Sequence, residues 1–254
     1  MQFLIIILFF IIGTVFASFL TYLSVRWSNN KSIIKPGSYC DSCGKNLKWY
    51  DLIPVLSFII NKGKCRYCKK DIPKIDIIVE ILSGILFSLG GYLYHDYNLL
   101  IYLTIIILAI TIIVSDFLYL IILDQMVFIS LFLILLIEFI FLGWKFTLES
   151  ILSAIIIFLI MYIIKLLGDF AFKKESLGGG DIKLGLFIGA TLGIKVSLVA
   201  IVLSSFIALP YATYIVIRKK DKLVPFGPFL IIATLICFIF SNEITSLINY
   251  LFII

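Results

Sequence analysis

The chain has 254 residues, 62% of them hydrophobic, and a mean hydropathy of +1.18. Apolar runs of bilayer length recur from end to end, which excludes an ordinary soluble enzyme and reads as an all-α, polytopic helical membrane protein embedded in a lipid bilayer. The formal net charge is +6, with 21 Lys+Arg against 15 Asp+Glu, but the basic residues stand where inner loops of a membrane protein carry them, so no nucleic-acid partner is expected.

The first run, Phe3 to Val25, has no basic start and is longer than the ~7–15 residues of a signal-peptide core, so residues 1–25 are expected to stay as a first span. Residues 26–76 form a polar loop. Its lysines and arginines, from Arg26 to Lys74, outnumber the acids Asp41, Asp51, Asp71 and Asp76. That excess marks the cytoplasmic side of a cell membrane and puts the N-terminus outside. Residues 77–254 read as a multi-span catalytic membrane domain. Its spans are expected at about Ile77–Tyr94, Leu99–Ser115, Gln125–Gly143 and Ser150–Gly168, with Trp144–Glu149 an outer turn and Phe117–Leu123 too short to cross. Ile182–Ile217 is too long for one span and is expected to break at Gly193-Ile194-Lys195. The basic cluster Arg218 to Lys222 again lies inside, and Phe226–Phe240 and Ile244–Ile254 bring the total to about eight transmembrane segments. Cys237, alone in an apolar run, reads as packing.

Four cysteines fall as two CxxC pairs in the polar loop: Cys40 and Cys43, then Cys65 and Cys68. Two such pairs suit a tetrahedral Zn²⁺ with four thiolates, each pair contributing two ligands from one turn, with Gly44 and Gly63 allowing the bends. A cytoplasmic loop favours metal over disulfides. A Cys₄ site has no open coordination position, so its zinc is structural and the loop is a small zinc-binding module.

Two acids carry the chemistry. Asp116 lies at the inner end of span three. Asp181 follows Gly178, Gly179 and Gly180 at the inner start of the next element. Two carboxylates close together in a low-dielectric site cannot both ionise easily, so one acts as base and the other as acid, which is what activating water against a peptide bond requires. The glycines let backbone approach a substrate strand closely. Asp124, Asp169 and Asp221 read as solvated helix ends. Glu80, one turn into span two, is a second functional candidate with Asp76 or Lys74 as partner. His95, the single histidine, sits in an outer turn and excludes histidine-based catalysis.

The whole pattern resembles the type IV prepilin peptidases, an aspartic intramembrane-type protease family, and most closely its shorter competence-type members from Gram-positive bacteria. The matching pieces are Ser18-Phe19-Leu20 with Arg26, the four-cysteine loop, Leu52-Ile53-Pro54-Val55-Leu56-Ser57, Glu80, Asp116 eight residues before Asp124, and the GxGD run Gly178 to Leu184. Leu123, Ala17 and Thr21 depart from the family's usual proline, glycine and asparagine. The resemblance implies an aspartic endopeptidase with Asp116 and Asp181 catalytic and with Gly178, Gly179, Gly180, Lys183 and Glu80 beside the substrate. The substrate would be a prepilin or pseudopilin, cut on the cytoplasmic face. Many members also N-methylate the new N-terminus with S-adenosylmethionine. The competing reading is a membrane transporter whose carboxylates relay protons or cations; it would place acids near span centres, whereas these lie at inner ends beside glycines.

Overall fold

A computed structural model describes residues 2–34, 37–40, 42–174, 176–218 and 224–251. Over these residues the chain is helical: α1 (Gln2–Ser28), α2 (Leu56–Ile60), α3 (Lys74–Leu93), α4 (Tyr97–Tyr119), α5 (Asp124–Leu142), α6 (Trp144–Phe172), α7 (Gly179–Ile217), α8 (Gly227–Ile239) and α9 (Ser241–Leu251). The described residues contain no strand, only two isolated β-bridges in the polar loop. Six of the helices are long and apolar enough to cross a membrane, or seven spans if α8 and α9, bent by 82°, count as one. The protein is therefore a multi-pass membrane protein. The chain divides into two compact units, Met1–Leu99 and Leu100–Ile254.

In the first unit α1 packs against α3. Small residues set how close they come. A Cβ on Gly13 would lie 2.7 Å from the Ser83 carbonyl oxygen, and one on Gly84 would lie 2.8 Å from the Phe10 ring. Helices in lipid gain by such close approach, because burying apolar surface against a neighbour gives little when the lipid is equally apolar. The Ser88 hydroxyl donates to the Ile6 carbonyl across the pair at 2.9 Å. Between α1 and α3 the loop is held by turns, α2 and a 3₁₀ turn at Trp49–Asp51.

In the second unit α4 is the most deeply buried long helix, with 67% of its most apolar stretch inside the protein. α8 runs antiparallel beside it. Tyr102 meets Phe238 at one end, ring centroids 6.5 Å apart, and Phe117 stands edge-on to Phe229 at 6.4 Å at the other. α6 and α7 touch so closely that a Cβ on Gly189 would lie 2.6 Å from the Ser153 carbonyl oxygen.

α7 is 39 residues long, about 58 Å if straight, nearly twice the ~30 Å hydrocarbon core. It is not straight. Gly193 leaves helical geometry at φ 68°, ψ 171°. The Ser197 hydroxyl donates to the Gly193 carbonyl at 2.6 Å and to the Ile188 carbonyl at 3.1 Å. In a straight helix residues nine apart are separated by about 13 Å along the axis, so the chain folds back at Gly193. The halves, α7a (residues 179–192) and α7b (residues 194–217), form a hairpin, and the break falls where the sequence indicated. By length and composition six helices can cross, or seven spans with α8–α9 as one, against the about eight transmembrane segments expected.

Two boundaries differ from expectation. Trp144–Glu149 is already α6, and the turn shrinks to Gly143 at φ +86°, a conformation in which glycine's missing Cβ matters. α4 continues past Asp116 to Tyr119, leaving only residues 120–123 as the connector to α5. Lys35, Asp41, Lys219, Lys220, Asp221 and Lys222 lie outside the described residues. Cys237 is fully buried in α8.

Candidate functional site

Asp181 is the third residue of α7, and Gly178 precedes the helix. The Gly178 N–H donates to the Asp181 carboxylate. That is the returning half of a capping box, in which a side chain at the third position satisfies an N–H the helix cannot. The Oδ1 atom is buried and accepts no hydrogen bond from the protein. Asp116, on the last turns of α4, accepts from the Gly227 N–H at Oδ2, 3.2 Å away, and Gly227 is the first residue of α8. Each acid thus takes one backbone N–H at the start of a helix, where the partial positive charge suits a carboxylate. They are 6% and 7% exposed, and the charge of Asp116 reaches Asp181.

Ile122, from the connector, is wedged between the glycines that flank the two acids. A Cβ on Gly180 would lie 2.7 Å from Ile122 Cβ, and a Cβ on Gly227 would lie 2.8 Å from Ile122 Cδ1 and 3.0 Å from Asp116 Oδ2. Gly179 meets nothing within 4 Å. Lys183, one residue beyond Ile182 in α7a, pairs with Asp124 at 2.5 Å. Asp124 is therefore an ion-pair partner and not merely a solvated helix end. Asp169 is half-buried and accepts from the Ser176 N–H and hydroxyl, at 2.6 and 2.8 Å.

Glu80 lies in the first unit, 9% exposed. Its partners are not those expected from the sequence. Its Oε2 accepts the Val55 N–H at 2.8 Å, and Ser18 also donates to it. Val55 sits at φ +60°, ψ −52°, and the Leu56 N–H reaches the Pro54 carbonyl at 2.5 Å. That is a γ-turn of the rarer, strained hand on a β-branched residue. Glu80 holds the strained turn against α3. It forms one wall of a cavity of about 570 Å³, lined also by Ser18, Arg26, Tyr39 and Asp76.

The four loop cysteines converge, their sulfur atoms all within 4.8 Å of one another, and could hold a metal ion. The two turns share one hydrogen-bond pattern. Cys40 and Cys65 donate their N–H to the carbonyls of Lys45 and Lys70, and their carbonyls accept from Gly44 and Lys69. Gly44 takes φ +67°, and Lys69 takes φ +61° at the matching place. Gly63, at φ +71°, bends the chain just before the second turn. The Cys43 and Ser42 N–H groups draw the Cys40 thiol down to about 6. The Lys70 N–H acts likewise on Cys68, but burial and the neighbouring thiols outweigh it and push that thiol up to about 11. Asp51 braces the module: it accepts from Arg66 Nε at 2.8 Å and from the Tyr67 hydroxyl at 3.1 Å, both residues lying between Cys65 and Cys68.

Three residues were not singled out from the sequence. Gly227 acts through its N–H, which has no side-chain signature, although the Pro225-Phe226-Gly227-Pro228 run in apolar surroundings signals a special turn. Ile122 is visible only as a tertiary contact. Glu138 is 2% exposed in α5, bonds Ser150, and leaves Oε2 without a partner; an acid inside a span is itself a signal.

Residues 11–94 match the family described as the bacterial peptidase A24 N-terminal domain, and residues 101–213 match the type IV leader peptidase family. The chain is 28% identical to a prepilin leader peptidase/N-methyltransferase from Bacillus subtilis, over 93% of this chain and 95% of that protein. It is 27% identical to one from Vibrio cholerae, over 94% and 98%, and 28% identical to one from Pseudomonas putida, over 82% and 74%. No solved structure matches. The chain belongs to the type IV leader peptidase family, whose members are aspartic peptidases.

Proposed function

We propose that this protein is a prepilin leader peptidase that removes the leader of type IV prepilins or pseudopilins, with Asp116 and Asp181 as its catalytic pair. The observation that carries the reading is the pairing of two buried carboxylates, each fixed by one backbone N–H at a helix start, with the charge of Asp116 reaching Asp181. Two acids so placed share a proton. The ionised member takes a proton from water as the water attacks the scissile carbonyl. The protonated member donates to the carbonyl oxygen, and the leaving nitrogen is protonated as the intermediate collapses. Asp181 Oδ1, buried and with no donor from the protein, is the oxygen left to accept from that water once substrate brings it in. Lysine and arginine excess in the loop supports a cytoplasmic active site.

The loop cysteines would hold a structural Zn²⁺. Cys40 and Cys68 sulfurs lie 3.9 Å apart, against the edge of about 3.8 Å of a tetrahedron with Zn–S bonds near 2.3 Å. The relatives' names join a methyltransferase to the peptidase. The first-unit cavity fits that second activity. Its volume is in the range of small-molecule sites, and its wall carries bases such as Arg26 and Lys64 as well as the acids Asp76 and Glu80, one turn apart on α3, which suits a ligand that, like S-adenosylmethionine, bears a carboxylate beside its positive charges. Bound there, S-adenosylmethionine supplies an electrophilic methyl group; Asp76 and Glu80 would orient it and take the proton released by the amine.

The test is incubation of the purified protein with a purified prepilin, followed by mass spectrometry of the substrate's N-terminus. Loss of the leader supports the peptidase, and a further methyl group supports the transferase. An intact prepilin refutes the reading.

A further inference from the structure

The connector between α4 and α5 is short, strained and packed against the glycines beside the two carboxylates. Leu120 takes φ +55°, a left-handed conformation that costs a side-chain-bearing residue energy. Its N–H still closes the end of α4 on the Asp116 carbonyl, at 2.9 Å. The chain therefore reverses one turn after Asp116 and carries Ile122 back over the acids. Ile122 lies against bare backbone at Gly180, next to Asp181, and at Gly227, which holds Asp116. Its side chain fills the slot that these two glycines leave open. Ile122 is half-buried, so the slot is reached from outside, whereas the next residue, Leu123, is 5% exposed.

Two residues further on, Asp124 ties the connector to α7a through Lys183 at 2.5 Å. Both side chains of that ion pair are well exposed, 40% for Lys183 and 45% for Asp124. Exposed pairs are weak and opened easily. The connector thus has a strained hinge at Leu120, an apolar plug at Ile122 and a weak latch at Asp124.

Resting on the peptidase reading, we propose that residues 120–123 are a substrate-displaced plug: Ile122 occupies the Gly180–Gly227 slot, and an extended apolar segment of the substrate takes its place. A scissile peptide must bring its backbone to both acids. The bare glycine faces are where another backbone can approach them, and Ile122 covers those faces. The same plug keeps water from the acids while no substrate is bound. Breaking the Asp124–Lys183 latch lets the connector swing out about Leu120 without disturbing the hydrogen bonds that hold Asp116 and Asp181.

The test is maleimide labelling of the full-length Ile122→Cys protein in an Asp181→Asn background, which stops turnover, with modification at position 122 followed by peptide mass spectrometry. Added prepilin is expected to raise the labelling rate several-fold as the side chain leaves its slot. Unchanged or slower labelling overturns the plug. Adding Asp124→Asn should raise labelling without substrate; no rise overturns the latch. As a second measurement that needs no cysteine, Ile122→Ala should lower KM for prepilin while kcat changes little. An unchanged or higher KM, or a kcat lost tenfold, overturns the plug. Cleavage by the wild-type protein together with unchanged labelling sinks the plug alone. Failure of the wild-type protein to cleave sinks the peptidase reading and the plug with it.

Discussion

Replacing Asp181 by asparagine separates its two roles, since it both starts a helix and carries a carboxylate. One oxygen accepts the Gly178 N–H at the start of α7, and the other has no donor from the protein. Asparagine keeps an acceptor for the helix start, so stability should hold, whereas alanine loses the cap and should cost about 1 kcal/mol. The missing charge acts on the rate. Removing a general acid or base typically lowers rates about 10²–10⁴-fold, or about 3–5 kcal/mol of activation free energy. Because a coupled pair works as a unit, Asp116→Asn should match Asp181→Asn, and the double variant should be hardly worse than either. The assay is single-turnover cleavage of a purified prepilin in detergent, with thermal unfolding of each variant measured alongside. Asp181→Asn retaining more than about a tenth of wild-type activity would refute the pair, because a loss that small falls below the range for such a group.

Elemental analysis should find one zinc per chain, and Cys40→Ser should lose it together with protein abundance. Zinc should also leave on acidification, because protons compete with the metal for the four thiolates; a bound metal whose release does not depend on pH contradicts a thiolate site. Gly84→Leu should drive a side chain into Phe10 and Thr14, whose atoms lie 2.8 and 2.9 Å from the new Cβ, costing about 1–3 kcal/mol; an unchanged unfolding temperature would show that α1 and α3 do not pack as described. Glu80→Ala removes the acceptor of the Val55 N–H and should lower N-methylation more than leader cleavage, read from the two mass shifts in one experiment. Equal losses would remove Glu80 from the methylation site. Glu138→Gln keeps a hydrogen-bonding group beside Ser150 and should leave cleavage unchanged; a large loss would make Glu138 part of the chemistry.

Much of this architecture is readable in the residue order because lipid imposes a simple length rule on apolar runs. The same rule predicts the break in α7, where Ile182–Ile217 exceeds one crossing and Gly193, followed two residues on by a lysine, supplies a permissive residue near its middle. The two CxxC pairs are legible because metal ligands come in local pairs. Other features depend on partners far along the chain. Glu80 binds an N–H that lies 25 residues earlier, and Asp116 binds one that lies 111 residues later. Neither donor has a side-chain signature. Asp124 reads as a solvated end until α7a brings Lys183 to it. The helical run through Phe117, Leu118 and Tyr119 extends α4 because Phe117 packs against Tyr211 and Phe229, contacts that no local pattern announces.

The hairpin at Gly193 bears on how the protein is made. α7a spans 14 residues' worth of rise, about 21 Å, and falls short of the ~30 Å hydrocarbon core. The insertion machinery cannot leave such a segment stably across the bilayer by itself. α7b must follow and pair with it, and the Ser197 hydroxyl marks that pairing by reaching back to Ile188. Asp181 therefore travels into the membrane on a helix that depends on a later one.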